Sequence, residues 1–315
     1  MSVEAPSLVY GPVPSRRLGR SLGVDLVPFK TCTYDCVYCQ LGPTTNKTVE
    51  RREYVAVQPV LAELRDRLSE TGPPDYVALA GSGEPTLHSG LGEVIAGIKL
   101  LTASPVAVLT NGSLLWRREV QDTLMEADLV LPSLDAGDEH LFTCVNRPHP
   151  AVSFSTMVAG LEDFRRRFRK PIWLEVFLLG GVTGIATEVD KIARIVDRIR
   201  PERVQLNTAS RPPAEEYALP VSSEHLAAFA ARFDPAAEVI SERERSPAET
   251  NDGADRDADI MDLLSRRPCT VQDIAAGLQR HHGEVAKRVY ALASQGLIEA
   301  LPRRGKVFYH TTRAA

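Results

Sequence analysis

Two kinds of apolar pattern alternate along the first two thirds of the chain. Short continuous apolar runs, such as residues 76–80, are typical of strands that are buried on both faces of a sheet. Between these runs, apolar residues recur at helical spacing, as at Leu61, Leu64 and Leu68. Strands and helices that alternate in this way predict a parallel sheet with right-handed crossovers.

The predicted elements form six strand-helix units. Strands are expected at residues 21–27, 76–80, 106–109, 129–131, 172–179 and 204–206. Helices are expected at residues 60–68, 91–101, 116–127, 154–168, 189–199 and 224–233. Six units are too few for a complete eight-unit barrel. The expected α/β fold of residues 1–233 is therefore an open (βα)6 partial TIM barrel.

The pattern changes after residue 233. Residues 234–257 are acidic and contain few apolar residues, which is the composition of a flexible linker. Within residues 258–315, the pattern predicts three short helices, at 259–265, 270–276 and 284–294, followed by a hairpin with a basic turn. This order resembles a winged helix-turn-helix domain, so we expect a second, smaller winged-helix domain after the linker.

The composition is that of an ordinary globular protein. The chain has 315 residues, of which 43% are hydrophobic and 25% are charged, and its formal net charge is -4. No apolar run approaches the roughly 20 residues of a membrane span, and the first ten residues lack the features of a secretion signal. We therefore expect a cytoplasmic protein with no membrane partner. Five cysteines, three of them in one loop, suit a metal site better than a disulfide framework.

Three of these cysteines, Cys32, Cys36 and Cys39, have the spacing C-x3-C-x2-C. Thiolates are the ligands that iron–sulfur clusters and zinc select. Structural zinc sites and electron-transfer clusters require four ligands, but the closest histidine in the sequence is His88. A [4Fe-4S] cluster with three thiolates would leave one iron open to an exogenous ligand. A zinc knuckle without its fourth ligand and a redox dithiol are the alternatives.

The cysteine loop, with Tyr38 directly before its last cysteine, resembles that of the radical S-adenosylmethionine (SAM) superfamily. The glycine-rich segment that ends in Gly83 and Glu84 resembles the motif with which this family contacts the methionyl amino group. The resemblance implies two cofactors, a [4Fe-4S] cluster and SAM, and reductive cleavage of SAM to a 5'-deoxyadenosyl radical that abstracts hydrogen from a substrate. It also implies that a flavodoxin or ferredoxin donates the electron.

Further cofactor contacts are implied at the carboxyl ends of the predicted strands. Singly, polar residues at these positions are more often caps or turn residues, but together they form a polar ring at the mouth of the sheet. The cofactor-binding residues implied by the resemblance are Tyr38, Gly83, Glu84, Asn111, Ser133, Asp135, Val182 and Asn207. Cys144, in the loop after the fourth strand, is either a hydrogen donor to a substrate radical, a ligand of another metal or a small buried hydrophobe.

The substrate is less well defined by the sequence. Residues 131–136, with the segment Asn146-Arg147-Pro148, resemble the wyosine-synthase-related branch, which acts on guanosine of tRNA. The second set of cysteines and the flavodoxin-like domain of that branch are absent from the sequence, so wyosine chemistry itself is not expected. Lys30 and Lys47 flank the cysteine loop and are either exposed loop residues or candidates for a Schiff base. A tRNA or a nucleotide-like molecule is the expected kind of substrate.

Basic residues suggest two further binding surfaces. Residues 9–20 are predicted to be irregular, either as a solvated lead-in or as an anion-binding strap that uses Arg16, Arg17 and Arg20. Residues 258–315 contain nine Lys and Arg against five Asp and Glu, so this part could bind tRNA or DNA, or could dock another protein. The alternative function is therefore a transcriptional regulator that senses SAM or the state of an iron–sulfur cluster and acts through the winged helix.

Overall fold

The structure is a computed structural model that describes residues 7–240, 257–278 and 280–312. Its strands are β1 (Val9–Ser15), β2 (Gly19–Val24), β3 (Thr31–Cys32), β4 (Asn46–Lys47), β5 (Tyr76–Leu79), β6 (Val106–Thr110), β7 (Leu129–Pro132), β8 (Trp173–Leu178), β9 (Arg203–Thr208), β10 (Glu238–Val239), β11 (Ile298–Arg303) and β12 (Lys306–Thr311). Its helices are α1 (Val57–Thr71), α2 (Leu91–Leu101), α3 (Arg118–Leu124), α4 (Glu139–Asn146), α5 (Phe154–Arg167), α6 (Ala186–Ile199), α7 (Ser223–Ala230), α8 (Asp257–Arg266), α9 (Val271–Leu278) and α10 (His282–Ser294).

The main sheet is parallel and its strands follow the order of the chain. β2, β5, β6 and β7 pair in that order, and β8, β9 and β10 form a second parallel group. Bridges from Val130 to Ile172 and from Ser133 to Glu175 join β7 to β8, so the two groups make one sheet. All six predicted strands are present with helices between them, which confirms the predicted α/β fold with a parallel sheet.

The apolar pattern of these elements determines which side of the sheet is buried. In β8, burial alternates: Leu174, Val176 and Leu178 are buried, whereas Glu175 and Phe177 are partly exposed on the opposite side. The helix that follows, α6, buries Val189, Ile192, Val196 and Ile199 at helical spacing, and each such side chain contributes roughly 1.5–3 kcal/mol. The helices therefore cover one face of the sheet. On the other face, β8 presents Glu175 and Phe177, whereas Ala78, Ala107, Leu129 and Leu131 of β5–β7 form a second, smaller apolar cluster.

The structure differs from the predicted elements at several places, which include the short strands β3 and β4. Residues 9–15 form β1, an antiparallel edge strand, where an irregular segment was predicted; an edge strand tolerates Pro12 because its outer N–H groups need no partner. The helix α4 was not predicted. β10 lies within the predicted linker 234–257 and pairs with β9, so the first unit extends to residue 240, and residues 241–256 of that linker lie outside the described residues.

The carboxyl-terminal unit contains the three helices and the hairpin that were predicted. Its core is formed by buried apolar residues, including Ile260, Leu263, Ile274, Val285 and Leu292. β11 and β12 pair in the antiparallel direction over their whole length. Across the described residues, no helix is both long and apolar enough to span a bilayer.

One arginine connects this unit to the sheet. Arg266, the last residue of α8, donates to the carbonyl oxygen of Ser7 at 2.6 Å and lies 3.4 Å from Asp25. Its guanidinium stacks 4.1 Å from the centre of the Tyr10 ring. The carboxyl-terminal unit therefore packs on β1 and on the end of β2.

Candidate active site

The three cysteines of the C-x3-C-x2-C segment lie on one loop that begins at β3. All three side chains are half-buried, and a nitrogen donor lies near each sulfur. The donor-sulfur distances are 3.0 Å from Lys30 Nζ to Cys39 Sγ, 3.5 Å from Asn111 Nδ2 to Cys32 Sγ and 3.6 Å from Asn146 Nδ2 to Cys36 Sγ. Such donors stabilise the negative charge of thiolates, so the loop suits a thiolate-bound cluster.

Lys30, which precedes this loop, is more buried than the sequence indicates. An exposed loop lysine was expected, but Lys30 is 3% exposed. Its backbone adopts a left-handed conformation with φ 58°, which is uncommon for a residue other than glycine. The conformation lets the buried ammonium reach the sulfur of Cys39, so the expectation of an exposed side chain is wrong.

Burial opposes ionisation of the thiols in the protein alone. It raises the pKa of Cys32 to about 12, with the Glu84 carboxylate adding to the effect, and it raises the pKa of Cys36 well above its usual value. Bound iron would reverse this balance, because a metal cation deprotonates a coordinating thiol. Among the described residues, no three His, Cys, Asp or Glu side chains lie close enough together to hold a single metal ion. A [4Fe-4S] cluster presents separate irons to separate thiolates, so its ligands need not converge in this way.

The turn after β5 packs directly against the cysteine loop. Gly83 has no space for a side chain, because a Cβ atom there would lie 1.8 Å from the carbonyl oxygen of Thr31. The backbone N–H of Glu84 donates to the same oxygen at 3.1 Å. The backbone of Gly83 therefore fixes this turn beside Cys32, which follows Thr31 in the chain.

The carboxylate of Glu84 is buried and accepts hydrogen bonds from the protein itself. Oε1 accepts from the hydroxyls of Thr86 and Thr110, each at 2.6 Å, and Oε2 accepts from the backbone N–H of Asn111 at 2.7 Å. Burial raises the pKa of Glu84 in spite of these bonds. In this arrangement the carboxylate holds the ends of β5 and β6 together, and its contact with a methionyl ammonium stays a prediction.

Asn111 also contacts the cysteine loop. Its Nδ2 donates to Thr33 Oγ1 at 2.8 Å, and its Oδ1 accepts from the backbone N–H of Ser113 at 3.0 Å. Thr33 Oγ1 in turn lies 2.7 Å from Ser113 Oγ. These bonds connect the end of β6 to the cysteine loop. Asn111 therefore positions the loop, and its contact with SAM stays a prediction.

Tyr38 and Asp135 are joined through their side chains. The Tyr38 hydroxyl donates to Asp135, which also accepts from Asn146 Nδ2 at 2.8 Å and from the backbone N–H of Phe177 at 3.0 Å. The ring of Tyr38 stacks on that of Phe177, with 3.9 Å between centroids. Burial raises the pKa of Asp135 to about 6, although the bonds from Tyr38 and Asn146 act in the opposite direction.

A second polar group lies at the ends of β8 and β9. Asn207 Nδ2 donates to Glu175 Oε1 at 2.8 Å, and Arg17 forms an ion pair with the same carboxylate. Glu175 lies within β8, and its partner Arg17 was considered in the sequence only as part of an anion-binding strap. The pairing joins residues that are 158 positions apart, and no sequence pattern links them.

A cavity of about 460 Å³ opens at this end of the sheet. Of the predicted site residues, the structure brings Tyr38, Cys39, Gly83, Ser133 and Asn207 to its wall. Glu84, Asn111 and Asp135 are not among the lining residues. A cavity of this size is within the range of small-molecule and cofactor sites.

Two predicted residues lie away from the cavity. Val182 packs in an apolar cluster with Tyr38 and Phe177 and is not among the lining residues. Cys144 lies on α4, where its side chain is exposed and its sulfur is 4.0 Å from His140 Nε2. Cys144 therefore lies on a helix in the connection after β7, and its exposure contradicts the alternative of a small buried hydrophobe. Asp138, whose carboxylate accepts from the backbone N–H of Leu141, is an N-cap signal from which α4 could have been predicted.

The profile of the radical SAM superfamily matches residues 26–215, a segment that contains the cysteine loop and most of the sheet. The chain belongs to the radical SAM superfamily. Members of this superfamily use a [4Fe-4S] cluster and SAM, which confirms the predicted cofactors. They also need an electron donor such as flavodoxin or ferredoxin.

This radical SAM protein is similar to several known proteins. It is 31% identical to a UPF0026 protein of Methanocaldococcus jannaschii over 96% of this chain and 95% of that protein. It is 39% identical to a Brachyspira hyodysenteriae protein named GTPase Obg over 92% of this chain, which spans 43% of that protein. The fold resembles that of a radical SAM methyltransferase from Sphaerobacter thermophilus, with a TM-score of 0.51, 18% identity and coverage of 70% of this chain and 65% of that chain.

Proposed function

We propose that this radical SAM protein is an enzyme in which Cys32, Cys36 and Cys39 hold the cluster. When bound, the reduced cluster supplies the electron that cleaves SAM to methionine and a 5'-deoxyadenosyl radical, which abstracts hydrogen from the substrate. The observation that carries the proposal is the loop itself, in which a nitrogen donor lies 3.0–3.6 Å from each of three thiols. Of these cysteines, Cys39 lines the cavity, whereas Cys32 and Cys36 are not among its lining residues.

The chain's own residues have three tasks in this proposal. Lys30 and the amides of Asn111 and Asn146 stabilise the thiolates by hydrogen bonding. Gly83, which lines the cavity, lets the turn after β5 pack against Thr31 of the cysteine loop, because it has no side chain. Half-buried aromatic and aliphatic groups around Tyr38 exclude water from the end of the cavity, which protects a reactive intermediate from side reactions.

Ser133 and Asn207 are proposed to contact SAM directly, since both line the cavity. Asp135 contributes to this site through Tyr38, because its carboxylate accepts a hydrogen bond from the Tyr38 hydroxyl. Val182 supports the same aromatic group from its apolar cluster. We assign no role to Cys144, because its sulfur is exposed on α4.

The substrate is proposed to be tRNA or a nucleotide-like molecule, and the carboxyl-terminal unit to be a winged helix-turn-helix domain that helps to bind it. A groove of about 400 Å³ adjoins the cavity and shares Ser210 and Arg211 with it. Arg303, Arg304 and Lys306 of the hairpin line this groove. Basic side chains in this position suit nucleic-acid phosphates. The clustered cysteines favour a reducing compartment, so we also propose a cytoplasmic location.

The alternative, a transcriptional regulator, is not proposed. A sensor requires no site that orients a substrate beside the cofactor, whereas α8 of the carboxyl-terminal unit contributes side chains to the cavity. The function best supported by this arrangement is catalysis.

The proposal is tested by anaerobic reconstitution with iron and sulfide, addition of SAM and dithionite, and detection of 5'-deoxyadenosine by mass spectrometry. The wild-type protein should form 5'-deoxyadenosine, and Cys36→Ala should not. Cys144→Ala is the matched control, because it removes the same thiol at an exposed position, and it should behave as wild type. Failure of fully iron-loaded wild type to form 5'-deoxyadenosine, with and without added tRNA, would contradict the proposal.

A further inference from the structure

The cavity wall is unusually rich in arginine. Among the described residues that line it, the cationic side chains are Arg16, Arg17, Arg211, Arg266 and Arg267, and the carboxylate is that of Glu175. The arginines come from three parts of the chain: the turn after β1, the loop after β9 and the end of α8. Their convergence therefore depends on the folded arrangement and is not visible as a basic run in the sequence.

Two of these arginines are held by acidic partners. Arg17 forms an ion pair with Glu175. Arg266 lies 3.4 Å from Asp25 and 3.2 Å from Asp262. These ion pairs hold the β1–β2 turn and α8 in place. The carboxylates also balance the positive charges of Arg17 and Arg266.

The other three are also in contact with neighbouring residues, and Arg267 hydrogen-bonds the thiol of Cys269. Arg16 Nη1 lies 3.5 Å from Ser210 Oγ, and Arg211 Nη2 lies 3.8 Å from Asp273 Oδ1. The side chain of Arg211 is 11% exposed. Burial, followed by the positive charges of Arg211, Arg17 and Arg267, lowers the pKa of Arg16 to about 10. Arg16 is therefore repelled by its neighbours more than it is stabilised by them.

We propose that Arg16, Arg211 and Arg267 form a subsite for a phosphate group of the substrate. The inference deepens the proposed function and rests on it, because the subsite belongs to the same cavity. A phosphate group carries about -1.5 to -2 charges at neutral pH and three acceptor oxygens, whereas a carboxylate carries a single charge. Guanidinium groups bind phosphate oxygens through paired N–H donors, so several arginines around one phosphate are complementary in both charge and geometry.

Two of the three arginines lie on segments other than the cysteine loop. Cys39, Gly83 and Ser133 line the cavity from the cysteine loop and the ends of β5 and β7. Arg16 and Arg267 line it from the turn after β1 and from the carboxyl-terminal unit. Arg211 reaches the cysteine loop, where it donates to Gln40 Oε1 at 3.5 Å. A phosphate bound by these arginines would anchor one end of the substrate and leave its remaining part to face SAM.

The test uses the full chain with its cluster and SAM, and inorganic pyrophosphate and phosphate as probes in isothermal titration calorimetry. Wild type should bind the phosphate probes at least tenfold more tightly than succinate at the same ionic strength. Arg16→Gln and Arg267→Gln should each weaken phosphate binding roughly tenfold or more, because each removes a charged hydrogen-bond donor. Arg118→Gln is the matched control: Arg118 lies on α3 with 69% of its side chain exposed, and its loss should change binding less than about twofold.

Thermal stability provides a second measurement, in which the variants are compared first without anion and then with phosphate. Without anion, Arg16→Gln should melt at the same temperature as wild type or higher, because it removes a buried, mutually repelled charge. Phosphate should raise the melting temperature of wild type but not that of Arg16→Gln. A lower melting temperature for Arg16→Gln, with an unchanged effect of phosphate, would assign Arg16 a structural role and overturn the subsite.

The outcomes distinguish this inference from the proposed function. If wild type forms 5'-deoxyadenosine but binds neither phosphate nor pyrophosphate up to ~10 mM, the subsite is wrong and the radical chemistry stands. Equal binding of succinate and phosphate would also overturn the assignment to phosphate. If the arginine variants lose phosphate binding but iron-loaded protein forms no 5'-deoxyadenosine, the anion subsite stands and the radical proposal is wrong.

Discussion

Gly83→Ala is the substitution that most directly tests how the turn after β5 supports the cysteine loop. The added Cβ would lie 1.8 Å from the carbonyl oxygen and 2.8 Å from the carbonyl carbon of Thr31, and 2.9 Å from Val27 Cγ2. Two of these atoms belong to the backbone, so a rotamer change cannot relieve the overlap. The turn and β3 must therefore separate.

The expected cost has two parts. Overpacking of this kind typically costs about 1–3 kcal/mol. Separation also breaks the bond from the Glu84 N–H to the Thr31 oxygen, which is 3.1 Å long and contributes on the order of 1 kcal/mol. We expect the free energy of unfolding to fall by about 2–4 kcal/mol, and iron content to fall with it because Cys32 follows Thr31.

Urea denaturation of the cluster-free protein measures the first effect, and iron analysis after reconstitution measures the second. Gly92→Ala is the matched control, since the nearest atom to its added Cβ is Thr123 Cα at 3.4 Å. Gly92 lies in α2, where alanine should stabilise by up to about 1 kcal/mol. Wild-type stability and iron content in Gly83→Ala would refute the reasoning.

Three further substitutions test other contacts. Lys30→Met removes the ammonium 3.0 Å from Cys39 Sγ, so the cluster's reduction potential should fall in an anaerobic potentiometric titration, because positive charge favours the reduced cluster. In cluster-free protein, burial raises the pKa of Asp135 to about 6, and the native state therefore binds its proton at a higher pH than the unfolded chain does. The stability of wild type relative to Asp135→Asn, measured in urea, should then rise by about 2 kcal/mol as the pH falls from 7 to 4. Arg266→Met leaves the buried Asp25 without this cation, so stability should fall by roughly 3 kcal/mol and hydrogen exchange in β1 should become faster.

Each of these predictions has a control or a contradicting result. Lys47→Met makes the same charge change at β4, where the ammonium donates to the carbonyl oxygen of Arg147, and should leave the potential near that of wild type. An unchanged or higher potential in Lys30→Met would contradict the role of that ammonium. A stability difference for Asp135→Asn that is constant with pH, or unchanged exchange in β1 of Arg266→Met, would contradict the other two.

Local pattern was sufficient to predict most of the fold. The strands of the sheet were predicted because strands buried on both faces are continuously apolar, and the helices because burial on one face leaves a periodic pattern in the sequence. The cysteine loop was predicted because three thiols within eight positions restrict the chemistry they can perform. α4 was missed although its cap at Asp138 was present and α7 and α9, which are equally short, were predicted.

The contacts that shape the site arise from residues far apart in the chain. Glu84 was read as a ligand, but it accepts from Thr110 on β6, 26 positions away, as well as from its near neighbour Thr86. The contact with Thr110 is a tertiary feature. Lys30 was expected to be exposed because lysine usually is. In the structure, its ammonium lies 3.0 Å from the sulfur of Cys39, nine residues away. The sequence does not specify how close these two atoms lie in space.

The contact between α8 and the first strands has a consequence for the order in which the site is completed during synthesis. The cysteine loop leaves the ribosome first, and Arg266 and Arg267 follow more than two hundred residues later. At 5–20 residues per second, this delay is roughly 10–50 s. The part of the cavity wall that α8 contributes forms only after that interval. In the nascent chain the cysteine loop is therefore next to a more open pocket than in the finished protein.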